Sequence, residues 1–503
     1  MFTRRGFLGS AGAFGGARLF AAAPGSFGGG RPNLRVGILS DIHVRFDGKT
    51  GKMTGFADDT SYVHALEWFR DKNVDAVVIA GDMADQGMII ELTRVAEDWF
   101  KVFPDDKAPD GRKVERIFVF GNHDWDVFKP YSRYGAADES ELPAHVVSSN
   151  YRRHWQNLFH EDFSRVFSKT VKGYSFIGAH WMLDQGEKPG TRYACTERYF
   201  AEHGKELDPS KPFFYVQHPH PKDTVCPFTR FHDGGAATRA LSPFPNAVAI
   251  TGHSHYSLTD ERSIWQGAFT SVNAGCMRFT EPPRDANPPA GYANTRARFQ
   301  LEKYDAVKLM PLQWPDWTGR QGMLMDVYGD RIVFARRDFM YDLPLADDWV
   351  VPLDGSRPYE HAKRTAAIPA PQFRRGAALK VKRVKAKTRG NNPDHSDVVE
   401  RDAVMVTVPQ ADAVAGARPV AYEMAAVYNG GRKEFLSALD CGCTHSRRNA
   451  AKQKPLEWTI DAAEIPDGRF HFEVTPTGWF GAKGKPLASD PIDFKSMQGT
   501  TTV

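Results

Sequence analysis

Val119-Phe120-Gly121-Asn122-His123-Asp124-Trp125 closes an apolar run with a glycine, then presents an amide, an imidazole and a carboxylate in succession. Taken alone, this is a polar turn. The pattern recurs, however. Leu34 to Leu39 leads into Ser40-Asp41-Ile42-His43, and Val74 to Ala80 leads into Gly81-Asp82. Phe213 to Gln217 leads into His218-Pro219-His220, and Ala247 to Thr251 into Gly252-His253-Ser254-His255. Each run has about the length of a buried strand, and each delivers a metal-ligating side chain at its carboxyl end. That edge is where α/β sheets bind their ligands. Five such ends in order argue against coincidence.

Between these runs the period changes to that of a helix. Ala57 to Arg70 carries Tyr62, Leu66 and Phe69 at helical spacing, and Glu91 to Phe100 continues the alternation with Val95, Trp99 and Phe103 on one face. Strand and helix in turn make βαβ units, so part of the sheet is parallel. Lys172 to Trp181 and Phe269 to Ala274 read as further strands. Met323 to Tyr328 turns at Gly329-Asp330 into Arg331 to Phe334, a hairpin. Residues 126–170 and 278–317 are aromatic or proline- and arginine-rich without a clean period, and read as excursions beside the site.

At 503 residues the chain exceeds a single hydrophobic core. Residues 31–350 form the first domain in this reading, and the proline-bearing stretch 351–372 is a linker. Residues 373–503 carry only strand signals: Phe470, Phe472 and Val474 alternate with polar residues, as do Leu456, Trp458 and Ile460. Short alternating strands of this kind predict a β-sandwich of fibronectin or immunoglobulin type. The basic run Lys380 to Lys385 reads as one solvated strand edge, where lysine also discourages edge pairing.

Residues 1–30 differ from the rest. Arg4-Arg5 precedes Phe7-Leu8 and a Gly/Ala/Phe/Leu stretch to Ala23, which resembles a bacterial twin-arginine export signal and predicts a periplasmic or cell-envelope location. No apolar stretch is long enough to span a bilayer. The net charge of +4 is small for this length and does not argue for nucleic acid, beyond a nucleotide as substrate. Five cysteines are an odd count for a disulfide framework, and Cys441-Gly442-Cys443 with His445 lacks the further ligands a zinc site needs, so it reads as a surface loop.

Asp-x-His, Gly-Asp, Gly-Asn-His-Asp, a lone His and Gly-His-x-His, in this order over roughly residues 33–345, resemble the calcineurin-like metallophosphoesterases. The resemblance implies an αββα sandwich of two mixed sheets with a two-metal centre at the strand ends. By motif, Asp41, His43, Asp82 and His255 would hold one divalent ion. Asp82, Asn122, His218 and His253 would hold the other, with Asp82 bridging. Fe, Mn or Zn would serve. The related purple acid phosphatases carry a tyrosine three positions after the Gly-Asp aspartate; Asp85 stands there in this chain, which argues for divalent metals rather than a tyrosinate-ligated ferric ion.

A two-residue step along extended backbone returns side chains to one side, so Asp41 pairs with His43 and His253 with His255. Two carboxylates and one hydroxide then face the four positive charges of two divalent ions, and the surplus suits a phosphate ester. The reaction implied is in-line attack by the metal-held hydroxide on phosphorus, with His123 protonating the leaving oxygen. Asp124 either orients that imidazole or caps a helix. His220, His180, Trp125 and Arg278 are the candidate substrate contacts. The expected activity is hydrolysis of phosphate esters, diesters ahead of monoesters. The competing readings are a phosphomonoesterase and an inactive fold used as a binding scaffold.

Overall fold

The computed structural model describes residues 30–47, 52–53, 61–125, 151–182, 192–225, 231–278, 280, 309–311, 320–389, 398–412, 419–435, 438–439 and 455–493. The arginine pair at the amino terminus, most of both excursions, Cys226, the Cys441-Gly442-Cys443 stretch with His445, and the side chain of Trp125 lie outside the described residues.

In chain order the first domain comprises β1 (Leu34–Leu39), α1 (Ser61–Asp71), β2 (Ala76–Ala80), α2 (Ile89–Val102), β3 (Glu115–Val119), α3 (Tyr151–Phe159), β4 (Val166–Val171) and β5 (Tyr174–Ala179). It continues through α4 (Ala194–His203), β6 (Phe213–Val216), α5 (Ala236–Leu241), β7 (Ala247–Thr251), β8 (Ile264–Gln266) and β9 (Thr270–Asn273). The last strands are β10 (Gln321–Val327), β11 (Arg331–Asp338), β12 (Leu343–Pro344) and β13 (Trp349–Pro352).

Two mixed sheets result. One runs β12-β11-β10-β1-β2-β3, with β13 also paired to β11; the other runs β8-β9-β7-β6-β5-β4. Strands β1, β2 and β3 are mutually parallel, as are β5, β6, β7 and β9. The hairpin read from Met323 onward is the antiparallel pair β10–β11.

Strand alternation explains the layering. Val36, Ile38, Val78, Ile117 and Val119 point from the first sheet into one core, where they meet Phe176, Phe214, Val248, Ile250 and Val272 of the second. The opposite face of the first sheet carries Leu39, Val77, Ile79 and Phe118, covered by Tyr62, Leu66 and Phe69 of α1 and Leu92, Val95 and Trp99 of α2. The outer face of the second sheet carries Ile177, Tyr215 and Ala249 under Phe200 of α4 and Leu241 of α5. Helix, sheet, sheet, helix is the αββα order. Each fully buried Val, Ile or Phe contributes about 1.5–3 kcal/mol, so the strands form a rigid frame and the loops at their carboxyl ends are held from below.

The C-terminal region is all-β. A four-stranded sheet holds Val398–Val408 and Leu456–Asp461, with Lys380–Arg389 at its edge, where the basic run was expected. A second sheet centres on Pro419–Tyr428 and Arg469–Gly478. Val404, Val406, Trp458 and Ile460 of the first pack against Tyr422, Met424, Phe470, Phe472 and Val474 of the second, as in a β-sandwich. One strand was not foreseen here. Leu309–Pro311, from inside the 278–317 excursion, pairs antiparallel with Leu456–Asp461.

The stretch expected to be a linker is docked instead. Gln266 N–H donates to Tyr359 O, Tyr359 N–H donates to Gln266 Oε1, and His361 Nε2 lies 2.9 Å from Ile264 O. Glu261 accepts from Arg336 at 2.7 Å, from Arg364 at 2.6 Å and from the Trp349 indole at 3.0 Å. Burial opposes ionisation of Glu261, but the Arg336 and Arg364 guanidiniums hold its carboxyl down at about 2. Arg364 belongs to the helix His361–Ala367. Phe480 and Trp479 of the sandwich lie over Arg364 and Arg262 in turn.

This strap separates two truncations. Both a cut after Val351 and a cut after Pro371 keep every candidate metal donor. Glu261 keeps Arg336 in both, so the shorter fragment, which lacks Arg364, loses about the 1.5–3 kcal/mol of a hydrogen bond to a charged group and is expected to melt roughly 3–6 °C below the longer one. Thermal denaturation of the two fragments checks this, and equal midpoints would count against the strap.

Candidate metal centre

The loops after β1 and β2 are laced together. Asp41 N–H donates to Gly81 O, His43 N–H to Asp82 O, Val44 N–H to Met83 O, and Asp85 N–H to Val44 O. Gly252 N–H reaches His218 O at 2.7 Å, and Met277 N–H reaches Ser40 O at 3.0 Å. The backbone at the site is therefore fixed by exchanges between loops from both sheets.

Here the expected extended step is corrected. Asp41, His43, Asp82, His253 and His255 all have positive φ, between 51° and 71°. Left-handed backbone is uncommon for non-glycine residues and persists only where the surroundings over-determine it. Alternate left-handed residues, not a pleated strand, bring Asp41 beside His43 and His253 beside His255. The preceding glycines are sterically required. A methyl group at Gly121 would collide with Asp82, and one at Gly252 would collide with Ser40 and Asp41.

The predicted donor atoms lie together in two groups that share Asp82. Asp41, His43, Asp82 and His255 form one group able to hold a metal ion, and Asp82, His218 and His253 form another. In the first, His255 Nε2 lies 3.1 Å from Asp41 Oδ1 and 3.1 Å from His43 Nε2, which is itself 3.6 Å from Asp82 Oδ2. In the second, His218 Nε2 lies 3.1 Å from Asp82 Oδ2, 3.2 Å from His253 Nδ1 and 3.1 Å from Asn122 Oδ1. Asn122 opens the short helical turn Asn122–Trp125.

The donor set fits cations. With His218 Nδ1 spent on the Ala80 carbonyl, the Nε2 of a neutral ring faces Asp82 Oδ2 and Asn122 Oδ1 as one acceptor among others, a meeting that a cation relieves. Burial disfavours charge on Asp41, yet His255 and His218 hold its carboxyl at about 2. His218 and His123 hold Asp82 well below the ordinary range, against the same burial. Conversely, Asp82 and Asp41 lift His218 to about 9 despite its burial. The two carboxylates thus draw protons onto His218 and His255, whereas burial pushes His43 down to about 4 and His253 well below the ordinary range; divalent ions displace protons from such sites.

The outer contacts aim the rings. His218 Nδ1 lies 2.7 Å from Ala80 O, so that nitrogen donates and Nε2 is left bare toward the cluster. His43 Nδ1 lies 3.2 Å from Asp85 Oδ1. His123 Nδ1 donates to the Asp85 carbonyl at 2.7 Å, which turns its Nε2 to within 4.0 Å of Asp82 Oδ2. The His123 side chain is 20% exposed where that of His43 is 2% exposed, so His123 is the ring on the open side.

Asp85, not Asp124, orients His123. Asp124 accepts from Ala84 N–H at 2.7 Å, Met83 N–H at 3.2 Å and Gly121 N–H at 2.8 Å. That is the capping role, binding the loop after β2 to the turn after β3. Burial and the neighbouring Asp82 charge push the Asp124 carboxyl up to about 7 against these donors. Asp85 was visible only as the residue replacing a tyrosine. Its acidic side chain three positions after Asp82 was the available signal for a supporting role.

The structure places three of the expected substrate contacts as follows. His180 is buried among Phe120, Trp155, Phe163 and Phe167, stacks on Phe163 at 4.4 Å, and takes the Phe120 N–H on Nδ1 at 2.9 Å. Burial holds its imidazole down at about 3, neutral in the core. His220 is buried to 1% exposure with its backbone bridged to His232, and burial holds it at about 3 as well. Arg278 pairs with Asp85, which with His43 and His123 forms a third group of donor atoms. There the guanidinium supplies the positive charge. Trp181, which follows β5, packs instead on His253 with ring centres 5.4 Å apart, and the Arg192 guanidinium lies 4.4 Å from its ring.

The family model for calcineurin-like phosphoesterases matches residues 34–257, which span β1 through the Gly252-His253-Ser254-His255 loop. A search of curated proteins finds no match. Solved structures that match include GAP50, the anchor in the inner membrane complex of Plasmodium, at 10% identity, 63% of this chain, 88% of that one and a TM-score of 0.34. Purple acid phosphatase PPD1 from yellow lupin seeds matches at 12% identity, 64% of this chain, 55% of that one and a TM-score of 0.35. Vacuolar protein sorting 29 from Cryptosporidium parvum matches at 11% identity, 64% and 97% coverage and a TM-score of 0.26. Likenesses this distant carry no argument about activity. The family match, the mixed two-sheet fold and the His/Asp groups at its strand ends agree: residues 34–257 are similar to the calcineurin-like phosphoesterases.

Proposed function

We propose that this protein is an exported phosphoesterase that hydrolyses phosphate esters with two divalent ions, Fe, Mn or Zn, and prefers diesters to monoesters. The observation that carries the reading is the sharing of Asp82 between two donor groups, the arrangement a bridged pair of ions requires. Asp41, His43 and His255 complete one site; His218, His253 and the Asn122 amide complete the other. When bound, such ions polarise phosphoryl oxygens and make water nucleophilic at neutral pH.

The chain's own residues do the rest. His123, held through Nδ1 by the Asp85 carbonyl, hands a proton from Nε2 to the leaving oxygen. Asp85 keeps His43 and His123 in register and neutralises Arg278. With that guanidinium cancelled, the surplus charge of the site is about one positive unit, which matches a diester monoanion better than a monoester dianion. The intact donor set and the more exposed His123 favour an enzyme over a binding scaffold. The paired arginines of the amino terminus support export.

Metal analysis of purified protein, followed by rates on matched mono- and diester panels, tests this. Two ions per chain and faster turnover of diesters are expected. Two ions with no turnover of either class would favour the scaffold, and faster monoester turnover the phosphatase.

A further inference from the structure

We infer that Cys276 is a positioning residue that sets the tautomer of His255 and ties it to Asp41 through one sulfur atom. Cys276 is fully buried, and its thiol is not in a disulfide. It lies just beyond β9, where the chain passes beneath the loop after β1. Its Sγ is 3.3 Å from His255 Nδ1 and 3.5 Å from the Asp41 carbonyl, and it accepts the Arg278 N–H at 3.3 Å.

A thiol has one donor and a weakly accepting sulfur. The Asp41 carbonyl can only accept, so it takes the S–H. The Arg278 amide can only donate, so it approaches the sulfur. His255 Nδ1 then meets the accepting side of Sγ and carries the proton. Its Nε2 is left bare, facing Asp41 Oδ1 and His43 Nε2, both at 3.1 Å. His218 obtains the same result from the Ala80 carbonyl. Carbonyls and carboxylates are the usual partners of a metal-binding imidazole, and His255 uses sulfur in their place.

The same atom braces strained backbone. Asp41 and His255 sit at φ 54° and 55°, a conformation that endures only when neighbours hold it. Cys276 touches the main chain of one and the ring of the other. Its influence should therefore reach the Asp41/His43/Asp82/His255 group and spare the Asp82/His218/His253 group.

The inference rests on the two-ion reading, and the test separates the two. Metal-free full-length wild type, Cys276→Ala and Cys276→Ser would each be titrated with Zn²⁺ and with Mn²⁺ against a chelator, resolving two binding steps. Cys276→Ala removes donor and acceptor together, and should weaken one step by about 10–100-fold, the usual loss for such outer partners. The other step should be unchanged. Cys276→Ser keeps both hydrogen-bonding functions and should recover most of the affinity. Melting of the metal-free variants would be followed in parallel. Two native steps in Cys276→Ala would overturn the inference alone. Equal weakening in both variants would make the bulk of sulfur the cause and overturn it too. Wild type that takes up no ion would overturn the two-ion reading and this inference together.

Discussion

Asp82→Asn is expected to lose more metal and more turnover than a change at either single-metal histidine, such as His253 or His255. The carboxylate belongs to both donor groups. Its Oδ2 lies 3.1 Å from His218 Nε2 and 3.6 Å from His43 Nε2, while Oδ1 accepts the His123 N–H at 2.8 Å. An amide removes one negative charge from a largely buried cluster and replaces an acceptor with a donor aimed at a cation. Breaking a buried charge pairing costs about 3–5 kcal/mol, equivalent to roughly 10²–10⁴-fold in rate at about 1.4 kcal/mol per decade. His253→Ala or His255→Ala removes one donor from one group and should leave the other site loaded. Metal content and turnover, measured on the same preparations, check the ordering. Full occupancy with near-normal turnover in Asp82→Asn would refute its bridging role.

The frame of this molecule was legible because its cause is local. Apolar runs such as Ala76–Ala80 and Ala247–Thr251 are buried along their whole length, and a continuous run is what a strand covered on both faces requires. The donors were legible for the same reason, since each follows its strand within a few residues. The backbone carrying them was not. Nothing in Asp41-Ile42-His43 announces two left-handed residues. That conformation is imposed from outside, by Asp41 N–H bonding Gly81 O and His43 N–H bonding Asp82 O.

Residues whose roles depend on distant contacts were the ones missed. Asp85 meets Arg278 across 193 positions, and Cys276 meets the Asp41 carbonyl across 235. His180 fails in the opposite way. It follows β5 much as His218 follows β6, so the sequence pattern treats the two alike. But β5 lies one strand farther from β7, and its end passes under Phe163 and Trp155 rather than toward Asp82. Sequence order does not carry that lateral position in the sheet. The docking of residues 351–372 was hidden likewise, because Glu261 and Arg364 meet across 103 positions.

His123→Ala should distinguish a proton donor from a metal ligand by the leaving group it affects. His123 Nε2 is 4.0 Å from Asp82 Oδ2, and its ring meets His43 edge-on at 4.5 Å. Its Nδ1 is committed to the Asp85 carbonyl, so one face of the ring is fixed and Nε2 is the nitrogen left for chemistry. An alkoxide needs a proton as the P–O bond breaks, whereas a nitrophenolate leaves readily without one. General acid catalysis contributes about 10²–10⁴-fold. The variant should lose most of that on alkyl esters and much less on nitrophenyl esters, with both ions retained. Because the Asp85 carbonyl belongs to the main chain, Asp85→Ala should keep the His123 contact and leave the difference between leaving groups near that of wild type. Equal losses on both substrate types, where chemistry limits both rates, would reject the acid role. Loss of an ion in His123→Ala would instead make the ring part of the metal site, since the third donor group brings it together with His43 and Asp85.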